Sequence, residues 1–326
     1  MAADKNYYLN DYLAPIKEYL AQDGVTEVSI NQPGAVWVEK YGVSEVFEDE
    51  RLSHDHLDTL ARLIAGYCNQ EINENFPLLS ASLPDGERIQ IVIPPAAPNG
   101  IAMSIRKPTI LDLTLDDYEK AGSFEGIDYS ENKLSKPEIQ NLKSLYREGK
   151  TKLFFQEAVI HKQNILISGG TSTGKTTFLN ALVKNIPPHE RLISIEDTRE
   201  VKLSQSNQLN LLASKGDQGL AKVTVESLLE TSLRLRPDRI ILGELRGAEA
   251  FTYLRAINTG HPGSISTLHA DTPDGAIDQL SLMVLQAGRG LGRDEIKDYI
   301  TGMIDVIIQL ERVGKIRKVT DVKFLS

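Results

Sequence analysis

The stretch Gly169-Gly170-Thr171-Ser172-Thr173-Gly174-Lys175-Thr176 constrains this chain more than any other, because it meets every fixed position of the pattern G-x-x-x-x-G-K-[ST]. Its flanks agree. The apolar run Ile165-Leu166-Ile167 precedes it, and a helical run with Phe178, Leu179, Leu182 and Val183 follows. Glycines let successive backbone N–H groups curl around an anion, and the N-terminus of the helix adds a favourable dipole. Lys175 is spaced to reach β- and γ-phosphate oxygens, and Thr176 to ligate Mg²⁺. Gly169, Gly170, Thr171, Ser172, Thr173, Gly174, Lys175, Thr176 and Thr177 are therefore the expected nucleotide cradle. The competing reading is a glycine-rich strand-to-helix turn with an incidental lysine, and the flanking pattern disfavours it.

The surroundings of this loop alternate strand and helix, the signature of a doubly wound α/β domain. From Ser135 onward, strands are expected at Asn164–Ser168, Leu192–Glu196, Arg239–Gly243, Ser264–His269 and Val306–Leu310. Helices are expected at Lys175–Asn185, Val225–Leu235, Ala248–Asn258 and Pro273–Gln286, with a further one opening at Lys136-Pro137-Glu138. Residues 1–106 read as a smaller α+β domain. Helices are expected at Asn10–Gln22 and Leu57–Tyr67, and strands at Val25–Asn31, Ala35–Lys40, Arg88–Ile93 and Ile101–Arg106. Residues 107–135 lack a long apolar period, so they read as a linker with a short helix at Leu115–Lys120. The expected division is 1–106, 107–135 and 136–326.

Two expected strands end in acids, Ile193-Ser194-Ile195-Glu196-Asp197 and Ile240-Ile241-Leu242-Gly243-Glu244. Ligands of such folds sit at the carboxyl ends of the strands, where acids hold Mg²⁺ or orient water. Glu244 is the better candidate for polarising an attacking water, and Glu196 for a Mg²⁺-side role beside Thr176. Either acid could instead cap a following helix. His269 ends another apolar run and could meet a γ-phosphate; on spacing alone, a satisfied and partly buried histidine is the commoner outcome. Arg234, Arg236, Arg239, Arg246 and Arg255 gather around the second acidic strand, and most are expected in surface or intersubunit ion pairs.

Taken together these boxes resemble the traffic ATPases of bacterial type IV secretion, within the hexameric secretion ATPases. The resemblance rests on four boxes in order: the P-loop, Ile193–Thr198, Arg234–Arg246 and Thr259–Ala270. It extends to Pro84-Asp85-Gly86-Glu87-Arg88-Ile89-Gln90-Ile91-Val92 and Ser104-Ile105-Arg106. It implies a RecA-like C-terminal domain, ATP bound between N- and C-terminal domains, and a homohexamer. It implies Lys175 and Thr176 as phosphate and Mg²⁺ contacts, Glu244 as catalytic acid, Glu196 as its acidic partner and His269 beside the γ-phosphate. Arg88 and Arg106 match the arginines that close over the nucleotide. The long linker resembles the subgroup whose N-terminal domain packs over a neighbouring subunit, which would let both arginines act in trans. Other cytoplasmic ATPases and inner-membrane components of the channel are the implied partners. The implied location is cytoplasmic, peripheral to the inner membrane. Residues 1–20 and 311–326 carry no usable family feature.

Composition trims the alternatives. The chain is ordinary in hydrophobic content, 41%, and has one cysteine, Cys68, which excludes a disulfide framework and the four-cysteine metal insert frequent in pilus assembly motors. No run approaches the ~18 apolar residues of a membrane span. Residues 1–106 hold 16 acidic against 7 basic side chains, whereas the rest balances at 29 of each. An acidic first third argues against a nucleic-acid translocase, and no sequence-specific nucleic-acid binding is expected. A type II secretion or type IV pilus motor, and a nucleotide-gated adaptor with little turnover, stand as alternatives to a secretion motor.

Overall fold

Residues before 107 build one sheet and residues after 164 build another. The computed structural model describes residues 7–107, 137–214, 222–288, 290–313 and 316–325. The expected linker and its short helix therefore lie, apart from Lys107, outside the described residues.

The first sheet is antiparallel, with strands β1 (Val25–Gln32), β2 (Ala35–Lys40), β3 (Val43–Glu48), β4 (Leu78–Ser82), β5 (Arg88–Val92) and β6 (Ala102–Arg106) in the order β3-β2-β1-β6-β5-β4. Helices α1 (Tyr7–Leu20) and α2 (His54–Tyr67) cover it. Leu9, Leu13, Ile16 and Leu20 of α1 are buried at helical spacing and meet Leu57, Leu60, Ala61 and Ile64 of α2 in one apolar cluster. The Ser53 hydroxyl accepts the His56 N–H and starts α2 three residues before the expected Leu57.

The second sheet holds seven strands in the order β13-β12-β7-β11-β10-β8-β9. They are β7 (Ile165–Gly169), β8 (Leu192–Glu196), β9 (Gln208–Leu212), β10 (Arg239–Leu242), β11 (Ile265–Leu268), β12 (Val306–Val313) and β13 (Ile316–Phe324). All pairs are parallel except β12 with β13. Alternate strand residues face opposite layers. Ile165, Ile167, Ile241 and Ile308 pack towards α3 (Pro137–Arg147), α4 (Thr151–Ile160) and α5 (Lys175–Val183). Leu166, Ile195, Leu242 and Ile307 pack towards α6 (Val225–Ser232), α7 (Glu249–Asn258), α8 (Pro273–Gln286) and α9 (Arg293–Met303). The sheet is doubly wound, as the alternation of strand and helix predicts.

One arginine of the cluster departs from its exposed neighbours. Arg234 and Arg255 are exposed, but Arg239 is wholly buried. Its Nε and Nη2 donate to Glu190 at 2.6 and 2.9 Å, and its Nη1 donates to the Val159 carbonyl at 2.6 Å. A guanidinium inside a core is tolerable only when paired and hydrogen-bonded, and Glu190 supplies both.

The two sheets touch at both ends of β8 and β9. At the amino ends, Arg236 Nη2 pairs with Glu39 at 2.7 Å, and the Asn207 side chain joins Arg191, Asn31 and Ser44. Burial of Arg191 pushes its pKa down to about 10, against the pull of Glu27 and Asp238. Towards the carboxyl ends, Val92, Ala96, Ala97 and Ala102 join the apolar cluster of the second sheet, and the Leu212 N–H donates to the Ala96 carbonyl at 2.8 Å. No helix of the described residues is long and apolar enough to cross a membrane.

Candidate active site

The carboxyl ends of β7, β8, β10 and β11 open into one cleft of about 400 Å³. Thr171, Ser172, Thr173, Gly174, Lys175, Thr176 and Thr177 form its floor, Glu196, Glu244 and His269 its wall. Parallel neighbours end level with one another, so the register Leu242 with Ile195 and Leu268 with Ser168 brings these distant residues together.

The loop after β7 is shaped by glycine where nothing else fits. A Cβ on Gly169 would stand 2.5 Å from the Leu310 carbonyl oxygen and 2.7 Å from Thr173 Oγ1. Gly174 caps α5 in the left-handed region at φ 91°, and Ser172 also has positive φ, 61°. Lys175 Nζ donates to the Gly169 carbonyl at 2.8 Å and the Gly170 carbonyl at 3.0 Å, so the ammonium lies inside the curl of the loop. Burial holds the Lys175 pKa below the ordinary lysine range, although the nearby Glu244 carboxylate pulls the other way.

Lys175 also stands 3.3 Å from His269 Nδ1. An ammonium can only donate, so Nδ1 accepts and Nε2 carries the ring hydrogen. Nε2 lies 2.7 Å from Glu244 Oε1, in ion-pair contact but without good hydrogen-bond geometry, and that buried oxygen has no hydrogen-bond partner among the described residues. The other carboxylate oxygen, Oε2, receives Arg246 Nε at 2.8 Å. Arg246 reaches on to Asp197. Burial opposes the charge of Arg246, but the Glu244 and Asp197 carboxylates hold its pKa above the ordinary range.

Glu196 is buried, and its Oε1 accepts the N–H groups of Glu200 and Val201 at 2.9 and 2.8 Å. Burial raises its pKa, and these two N–H bonds work against the rise. Gly243 makes room for it, since a Cβ there would press Glu196 Cγ at 3.1 Å. Glu196 thus both borders the cleft and ties down the loop that follows it.

Not every sequence candidate reaches the cleft. Arg88 and Arg106 are exposed, sit opposite each other on β5 and β6, and are absent from its lining. His261 lies at the amino end of β11, its Nδ1 2.7 Å from the Pro237 carbonyl, and burial lowers its pKa. Conversely, Arg246 and Arg317 line the cleft although neither is among the expected cleft residues. Arg246 follows Glu244 by two residues, which is a usable signal; Arg317 has none.

The sequence matches the family described as Type II/IV secretion system protein over residues 10–319. The chain belongs to this family. Type II/IV secretion relatives include the type IV secretion system protein VirB11 of Bartonella henselae, 41% identical over 96% of this chain and 91% of that one. VirB11 of Brucella suis is 37% identical over 93% and 85%, and PtlH of Bordetella pertussis 36% identical over 98% and 96%. The crystal structure of the Brucella suis VirB11 ATPase in complex with sulphate superposes with a TM-score of 0.91 at 36% identity, covering 97% of both chains. The chain thus has the secretion-ATPase fold throughout, with the RecA-like part expected from its sequence.

Proposed function

We propose that the protein is the ATP-hydrolysing motor of a bacterial type IV secretion system. The family and its VirB11 relatives make it a secretion ATPase; the reading of its chemistry rests on one observation. Glu244 lines the P-loop cleft beside the Lys175 ammonium, and its buried Oε1 is an acceptor without a hydrogen bond among the described residues. An acceptor in that position suits a water aligned on a γ-phosphate.

In this reading the P-loop N–H groups and Lys175 hold the phosphates, Glu244 Oε1 takes a hydrogen bond from the attacking water, and His269 Nε2–H keeps that oxygen in place. The hard oxygen donors Thr176 and Glu196 fit Mg²⁺, which usually takes one or two protein oxygens and the substrate phosphates. Mg²⁺ would supply charge neutralisation on the phosphoryl oxygens. Among the described residues no group of three or more ligating side chains forms a protein cage, which is consistent with a metal held largely by substrate. Arg88 and Arg106, paired at one exposed end of the β5–β6 ladder, would serve a nucleotide of the neighbouring subunit in a homohexamer of two-domain chains split near 107–135. Secretion-channel components and companion ATPases would be its partners.

The test is steady-state ATP hydrolysis with Mg²⁺ for wild type and Glu244→Gln, with mass from light scattering. Glu244→Gln is expected to lose hydrolysis by at least about a hundredfold while a ring-sized mass persists. Unchanged turnover would remove Glu244 from the chemistry. A nucleotide-bound ring without wild-type turnover would favour a nucleotide-gated adaptor.

A further inference from the structure

The P-loop has two banks. Glu196, Glu244 and His269 come from β8, β10 and β11, all on one side of β7 in the sheet order. On the other side lie β12 and the last strand, β13. Leu310 of β12 is level with Gly169, the first glycine of the loop, and Val319 of β13 pairs with Leu310. Arg317 therefore projects past the carboxyl edge of the sheet. Val319, two residues on and on the same strand face, packs against the apolar cluster that includes Leu179 of α5. The same face carries Arg317 out over the N-terminus of α5, which is the end that receives phosphate.

The contact is close. A Cβ on Gly174 would stand 2.7 Å from Arg317 Cδ and 3.3 Å from its Nε. The aliphatic stem of the arginine covers the bare Cα of Gly174, and the residue lines the cleft. Arg317 is exposed and has no ion pair or hydrogen bond among the described residues. By contrast the other arginine of the cleft, Arg246, is committed to Glu244 and Asp197.

We infer that Arg317 is a nucleotide-binding residue that grips the α-phosphate end of the bound nucleotide, opposite the bank that attacks the γ-phosphate. The inference rests on the nucleotide reading of the cleft. The phosphorus under attack has to lie beside Glu244 and His269, so the cation on the far bank faces the part of the phosphate chain common to ATP and ADP. A contact made equally in ground and transition states lowers KM and leaves kcat alone.

The experiment compares wild type, Arg317→Gln, Arg317→Lys and Lys318→Gln as full chains, with ADP affinity from fluorescent-ADP titration and ATP hydrolysis from steady-state kinetics. Lys318 occupies the opposite strand face and controls for net charge. Arg317→Gln is expected to weaken ADP binding and raise KM for ATP by the same factor, roughly tenfold, with kcat within about twofold of wild type. Arg317→Lys should recover part of the loss, and Lys318→Gln should behave as wild type. Wild-type ADP affinity in Arg317→Gln overturns the assignment, as does a fall in kcat with ADP affinity unchanged, which would put Arg317 at the γ-phosphate. Thermal unfolding of each variant separates lost binding from lost fold. A wild type that binds no ADP would instead overturn the nucleotide reading itself.

Discussion

His269 and Glu244, from neighbouring strands, meet with Nε2 2.7 Å from Oε1, and the far side of the same imidazole faces the Lys175 ammonium at 3.3 Å. The ring is thus a spacer between the phosphate-binding lysine and the acid. On the proposed reading, a residue in this position meets the reacting end of the nucleotide and not its anchoring. His269→Asn is expected to lower kcat for ATP hydrolysis on the order of a hundredfold with little change in ADP affinity. Kinetics paired with ADP titration checks this; weaker ADP binding with normal kcat would refute it.

Arg239 and Glu190 form the buried pair of the second sheet, and their value lies in being removed together or not at all. Glu190→Ala leaves a fully buried guanidinium with backbone carbonyls alone, at an expected cost of about 3–5 kcal/mol. Urea denaturation should show the midpoint falling accordingly. Replacing both partners with apolar residues should cost less than replacing Glu190 alone, because no charge is then stranded.

Glu196 gives a prediction in pH. Burial raises its pKa in the folded chain, so the fold binds a proton there more tightly than the unfolded chain does. Its contribution is then most favourable below the ordinary glutamate value of 4.5 and is lost as pH rises through the folded pKa. Glu196→Gln keeps an oxygen for the Glu200 and Val201 N–H groups and removes the charge. The variant should melt higher than wild type at neutral pH, with the gap closing as pH falls through the raised folded pKa towards 4.5. Melting curves across that range test the sign. An acid retained at a stability cost beside a phosphate cradle is what a functional site leads one to expect.

Much of this architecture is legible in the sequence, and what escapes it has physical causes. The P-loop, both acids and His269 line one cleft because each ends an apolar run, and parallel strands end at one side of a sheet. The strands β3, β4, β9 and β13 escape because they are edges. Val43–Glu48 is largely exposed, and Gln208–Leu212 buries only alternate residues, so neither has the continuous apolar run of a central strand. Arg317 is illegible for a stronger reason. Its arrival over Gly174 depends on the register of β12 on β7, a relation that spans well over a hundred positions of sequence and leaves no local pattern, and the hairpin of β12 and β13 carries that register on. Arg239 looks like its exposed neighbours in the chain, and only the placement of Glu190 under it makes burial tolerable.

The bond from the Leu212 N–H to the Ala96 carbonyl has a bearing on self-association. β9 is the last strand of its sheet, and the segment carrying Ala96 and Ala97 lies along that border together with the apolar side chains of Val92 and Ala102. A raw strand border next to a greasy patch is a template for sticking to other chains. The N-terminal sheet is therefore also a guard for the catalytic one: a subunit that swings it away must offer the bared border another cover at once, or risk clumping.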